Sequence, residues 1–154
     1  MGEYIYPPTS QLLRCKVIYD DSGILEVNYY PYKKREIKTF KLIFDDEISY
    51  SKKYLIREDL DILFAKKETC DEIIIVKEGI VTDTSIANIA VFYENNWICS
   101  KNSLLEGTTK NRLLVERLLI EKDISVKMLK NSSKIALMNA MIDFDIISDY
   151  SFKE

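Results

Sequence analysis

Residues 71–92, DEIIIVKEGIVTDTSIANIAVF, constrain this chain more than any other stretch. Apolar residues crowd both ends and Glu78-Gly79 is a tight-turn signal. The stretch therefore reads as a strand over 72–76, a turn, a short polar link and a second strand over 87–92. The link is Val81-Thr82-Asp83-Thr84-Ser85-Ile86-Ala87-Asn88, which packs a carboxylate, two threonines, a serine and an asparagine between two apolar runs. Asp, Ser and Asn are ordinary turn residues, so the plain reading is a satisfied polar turn. The other reading is the floor of a site.

The rest of the chain supplies more strands than helices. After an extended opening over 4–10, where Pro7-Pro8 forbids helix, strands are expected over 12–19 and 24–32. Asp20-Asp21-Ser22-Gly23 between them is a hairpin signal. Further strands are expected over 37–44, 97–100, 124–129, 135–138 and 143–147. One helix is expected over 56–67, with Leu60, Leu63 and Phe64 on one face and Glu58 and Asp59 in its first turn. A second is expected over 110–121, with Leu113, Leu114, Arg117 and Leu118 in phase. Residues 102–109 read as a loop, 131–134 as a turn and the end after Ser148 as a polar tail. The fold class is α+β.

Composition narrows the chemistry. The 154 residues suit one domain with a sizeable core. Formal net charge is −3, which argues against a nucleic-acid footprint. There is no histidine, which removes serine–histidine triads and the commonest metal ligand. Proton transfer must then fall to Lys, Tyr, Asp, Glu or Cys. Cys15, Cys70 and Cys99 show neither metal-ligand spacing nor a disulfide framework. Each lies in or beside an apolar run, so all three are expected to be buried free thiols, pointing to a reduced, cytoplasmic setting. No apolar run reaches membrane-spanning length, and the start MGEYIYPP lacks a signal-peptide pattern. No metal, nucleic-acid or membrane partner is expected.

Four segments, in order, resemble the class IV aminotransferase family, which includes branched-chain and D-amino-acid aminotransferases and 4-amino-4-deoxychorismate lyase. They are Lys53-Tyr54-Leu55-Ile56-Arg57, Val81 to Asn88, Leu104-Leu105-Glu106-Gly107-Thr108-Thr109-Lys110 and Leu137-Met138-Asn139-Ala140-Met141. The resemblance runs from about residue 13 to about 141. It implies the barrel-like C-terminal domain of the fold-type IV pyridoxal 5'-phosphate (PLP) enzymes, over 51–148. Residues 1–50 would be a strand remnant of the N-terminal domain plus linker, and 149–154 a tail. The family's early H-x-x-R-L helix, whose arginine grips the cofactor phosphate, has no counterpart. This implies a fragment, a trimmed chain or a degenerate member, with weak turnover on its own.

The resemblance also assigns roles. Lys53 would form the internal aldimine and then act as general base at the substrate Cα. Lys52-Lys53 is a doublet, but on a strand Ser49, Ser51 and Lys53 share one face, and the spacing to Arg57 favours Lys53. Asp83 would hold the pyridine nitrogen protonated, where the family usually has Glu. Thr84 and Ser85 would line the cofactor, and Asn88 would tie down the hairpin. Gly107 lets a backbone approach a ligand closely. Thr108 and Thr109 would offer N–H groups to the phosphate, or one of them simply caps the helix. Lys110 stands where the family prefers Arg and, with Arg57, is a substrate-side candidate. Asn139 and Ala140 would form a second edge of the phosphate cup.

The implied function is a PLP-dependent aminotransferase or aminodeoxychorismate-lyase-like enzyme acting on a small amino substrate as a homodimer. The rival is a non-catalytic member that keeps the fold for dimerisation or binding. The missing N-terminal arginine, Asp83 for Glu, Lys110 for Arg and Ala140 for a hydroxyl residue favour the rival.

Overall fold

The computed structural model describes residues 5–50, 53 and 56–154. Lys52, Ser51, Tyr54 and Leu55, used to orient Lys53, and Tyr4 at the chain's opening lie outside the described residues. The chain forms two compact units, 1–35 and 36–154. Residues 36–50 cluster with the larger unit, where the third strand pairs with the fourth.

The smaller unit is an antiparallel hairpin of β1 (Leu13–Asp20) and β2 (Gly23–Pro31). Asp20 Oδ1 accepts from the Ser22 N–H at 2.8 Å, fixing the turn. The Arg14 guanidinium lies 5.0 Å from the centre of the Tyr30 ring across the ladder. Cys15 is exposed, against expectation, because it sits on a strand of a two-stranded sheet with no second layer within its own unit.

The larger unit holds nine strands and three helices among the described residues. β3 (Thr39–Phe44) is followed by α1 (Glu58–Ala65), β4 (Glu72–Lys77), β5 (Ile80–Thr84), β6 (Asn88–Tyr93) and β7 (Asn96–Ser100). Then come α2 (Thr108–Val115), β8 (Ile120–Lys122), α3 (Val126–Asn131), β9 (Lys134–Asn139), β10 (Asp143–Ile147) and β11 (Ser151–Lys153). The sheet order is β10-β9-β6-β5-β4-β3-β11, with β7 beside β6 and β8 beside β7. β3 and β4 are parallel, with α1 between them in sequence, whereas β4 to β7 run antiparallel.

β4 is a continuous apolar run because both its faces are covered. Ile74 and Val76 enter a core with Phe40, Ile89, Ile124, Leu129 and Leu137, whereas Ile73 and Ile75 pack with Leu60 and Leu63 of α1. Leu113 of α2 covers Ala90, Cys99, Ala136 and Met138 in the same way. Glu78 and Gly79 both take positive φ, as expected of the hairpin turn between β4 and β5.

Four expectations of local structure are corrected. Residues 80–84, expected as part of a polar link, form the strand β5, because their backbone pairs with β4 after the turn at Glu78-Gly79. Residues 126–131 are helical, not a strand: Ser125 Oγ accepts from the Met128 N–H at 3.1 Å, and Leu129, one turn on, is fully buried. The second helix ends at Val115, not near 121. Arg117 takes φ 59, and Leu118 N and Arg117 N bond back to Leu113 O and Leu114 O, a left-handed stop. The polar tail carries β11, which runs parallel to β3 and places Phe152 6.3 Å from Phe40, ring to ring.

Candidate functional site

Asp83 owes its direction to a bulge. Val76 pairs with Val81 and Ile74 with Thr84, so Ile75 alone faces both Thr82 and Asp83. An extra residue in one strand bends it and re-aims the side chain there. Thr82 Oγ1 donates to Ile75 O at 3.0 Å, holding the bulge closed. The turn into β6 is braced by Thr84, whose N–H and hydroxyl both donate to Ala87 O, at 2.9 and 3.0 Å. Asp83 and Asn88 are the registered pair of β5 and β6. Beyond them the strands part: β6 takes β7 as partner, while Val81 N donates to Ile124 O and Val81 O accepts from Ser100 Oγ.

The Asp83 carboxylate is buried. Oδ1 accepts from Asn88 Nδ2 at 2.8 Å and Oδ2 from Leu105 N at 3.0 Å. Burial pushes its pKa up to about 6, against the pull of the donors Asn88, Leu105 and Leu104 and the charge of Lys110. The same Asn88 Nδ2 donates to Leu105 O at 2.8 Å. A Cβ at Gly107 would overlap Asn88 Oδ1. The glycine is needed here for a neighbouring side chain.

Gly107 is also the N-cap of α2, with no side-chain cap hydrogen bond. Thr108 and Thr109 are the first helical residues, so neither is the capping residue that the sequence suggested. Their N–H groups are among those that helix geometry leaves without an intrahelical partner, and the dipole there favours an anion.

A cleft of about 250 Å³ gathers Lys53, Arg57, Asp83, Thr84, Ser85, Gly107, Thr108, Thr109, Asn139 and Ala140, together with Tyr50, Asn88 and Glu106. Lys53 and Ala140 are exposed on it, whereas Asp83, Ser85 and Thr109 are buried. Arg57 Nη2 donates to Ser85 O at 2.6 Å. Its Nε lies 3.8 Å from Asp61 Oδ1 and makes no hydrogen bond among the described residues.

Two candidates are committed elsewhere. Lys110 is absent from the cleft lining and fully buried, donating to Ser100 O at 2.8 Å and Ser103 Oγ at 3.0 Å. Asn139 lines the cleft, but its Nδ2 donates to Ile86 O at 3.1 Å and its Oδ1 accepts from Met141 N and Ile142 N. It fastens the β9–β10 turn to the β5–β6 turn.

Sequence reasoning passed over Glu72. It is fully buried, and its Oε1 accepts from Ile73 N at 2.9 Å and Ser85 N at 3.3 Å, bracing the turn that lines the cleft. The signal was the second acid of Asp71-Glu72, set directly against an isoleucine run. Asn88 was read as a hairpin tie only, since its contact with Leu105 spans seventeen residues.

The family model described as Amino-transferase class IV matches residues 59–148. An uncharacterised protein of Haemophilus influenzae is 36% identical over 135 residues, 88% of this chain and 71% of that protein. A crystal structure of a candidate 4-amino-4-deoxychorismate lyase from Haemophilus somnus superposes with TM-score 0.79 at 38% identity, covering 86% of this chain and 68% of that one. A hypothetical aminotransferase from Mycobacterium tuberculosis, in its α-ketoglutarate- and PMP-bound form, has TM-score 0.68 at 14% identity, covering 82% and 56%. This last likeness is one of fold.

Proposed function

The chain belongs to the class IV aminotransferase family, and on that premise we propose that its cleft binds pyridoxal phosphate and acts on a small amino substrate, by amino-group transfer or by a lyase reaction. The observation that carries the reading is the meeting of Lys53, the buried Asp83 and the uncapped start of α2 in one cleft, from three distant parts of the chain.

The residues present fit the group. A carboxylate can accept about four hydrogen bonds, so Asp83 keeps capacity for a protonated ring nitrogen beside the donors it already has. A cation placed there would favour its ionised form. Thr108 and Thr109 at the start of α2 would hold the phosphate, and Arg57, half-buried on the cleft wall, suits an anionic group of the substrate. Pyridoxal phosphate, when bound, supplies an electron sink for a carbanion at the substrate α-carbon. Lys53 would take and return the proton at that carbon. Thr84, Glu72 and Asn139 keep the cleft floor in place through the turns they fasten.

The test is reconstitution with pyridoxal phosphate, borohydride reduction and peptide mapping. Label is expected on Lys53, and label on Lys52, or none, would overturn the assignment. Transfer and lyase assays on the same sample then choose the reaction. A second reading, a non-catalytic member, is favoured by one observation: Lys110 and the Asn139 side chain, two candidates for the phosphate or substrate, are bound to protein groups. Absence of label and of any effect of the cofactor on melting temperature would support it. A homodimer in the cytoplasm completes the proposal. Sedimentation tests the first part. The second fits three free cysteines and the absence, among the described residues, of a helix long and apolar enough to cross a membrane.

A further inference from the structure

Resting on the proposed cofactor site, we infer that Asn88 is a positioning residue that couples the two ends of the cleft. Its single carboxamide joins the Asp83 carboxylate to the loop from which α2 starts.

The amide has two N–H bonds, and both are used. Nδ2 donates to Asp83 Oδ1 at 2.8 Å and to Leu105 O at 2.8 Å. Leu105 N closes the ring by donating to Asp83 Oδ2 at 3.0 Å. Two residues on, Gly107 is the N-cap of α2, and its missing side chain leaves the space that Asn88 Oδ1 fills. One carboxamide thus fixes the carboxylate, the loop and the helix start. Only an amide of this length does so. Aspartate has no donor and adds a like charge, and leucine has neither donor nor acceptor. Asn88 holds the Asp83 carboxylate where the bulge aims it and favours its ionised form, because a donor to a carboxylate stabilises the anion. Of the other charged groups, Lys110 of α2 bears on Asp83, and Lys53, Arg57 and Glu106 line the same cleft. None of them is altered by a change at position 88.

The test uses the full chain without cofactor. Asn88→Ala, Gly107→Ala and the double variant are compared by urea denaturation, and Asp83 is titrated by the NMR shift of its labelled carboxyl carbon. Asn88→Ala is expected to raise the Asp83 midpoint by roughly one pH unit. Gly107→Ala should move it in the same direction, because its methyl would overlap the carboxamide and displace it from Asp83. The double variant should be no worse than Asn88→Ala alone, since the methyl then has room. Additive losses, or an Asp83 midpoint unmoved by Gly107→Ala, overturn the inference. In a second arm, Asn88→Ala is expected to weaken pyridoxal phosphate binding about tenfold. Failure of the unaltered chain to bind it refutes the cofactor reading alone, because the cofactor-free cycle decides the coupling.

Discussion

Lys110 Nζ lies 2.9 Å from Glu121 Oε1, with the lysine side chain wholly buried and the glutamate side chain 41% exposed. The pair is therefore asymmetric. Removing the glutamate strands a buried ammonium whose remaining ion-pair partner among the described residues is Glu106, 3.6 Å away. Removing the lysine leaves a carboxylate that can return to water. Glu121→Ala should lose about 2–3 kcal/mol, below the range for fully buried pairs because Glu121 is partly solvated. Lys110→Met should lose less. Urea denaturation of both variants checks the order, and the reverse order would contradict the asymmetry.

Asp83 makes stability fall as pH rises. Its pKa in the fold, about 6, exceeds the ordinary carboxylate value of 3.8. The folded chain therefore binds this proton more tightly than the unfolded chain does. The contribution is complete below the unfolded value and is lost as pH rises through about 6, a span of about 3 kcal/mol at most. Asp83→Asn removes the dependence and adds a pH-independent loss, since one amide face meets a donor. The stability of the variant relative to the parent should therefore rise between about pH 4 and about pH 7.

Asp71 works in the opposite sense. Its Oδ2 accepts from Lys38 N, Thr39 N and Thr39 Oγ1, at 2.9, 2.9 and 2.8 Å, fastening the start of β3 to the start of β4. Those donors, that of Lys38 foremost, hold its pKa below the usual carboxylate range. Its contribution is present above the unfolded value and is lost as pH falls through the lowered one. Asp71→Ala should lose about 1–2 kcal/mol near neutrality, and the gap to the parent should narrow in acid. Melting curves across that range would show a constant gap if the bonds mattered little.

Ser125 starts α3 by accepting from Met128 N. Ser125→Ala should lose about 1 kcal/mol, and Ser125→Asp should retain most of it, since both side chains cap well. Equal stability of all three would show that burial of Leu129 alone sets this helix.

Local chemistry explains what could be read in the sequence. Glu78-Gly79 carries its turn signal within two residues, whereas β5 went unread because Thr82, Asp83 and Thr84 look like turn residues although the strand is paired on both edges. The strand expected over 124–129 failed because Ile124, Val126 and Met128 alternate like a half-buried strand. The competing signal, Ser125 followed by Leu129, is a cap and one helical turn. The end of α2 was hidden because an arginine takes the left-handed position where glycine is the usual sign. β11 has one apolar side chain, Phe152, and its partner strand is more than a hundred residues away in sequence. The burial of Lys110 depends on β7 and β8, which no window around it contains.

β5 is hydrogen-bonded on one edge to β4, and on the other to Asn88, Ile124 and Ser100 in turn. A strand with one uniform partner can slip by a residue and re-form its ladder, turning every side chain to the opposite face. Here a slip would have to satisfy four separate segments at once, and the bulge at Thr82-Asp83 would lose its counterpart in Ile75. The parting of β5 from β6 is thus a guard against misalignment. It protects the one strand in which an error of a single residue would carry the carboxylate out of the cleft.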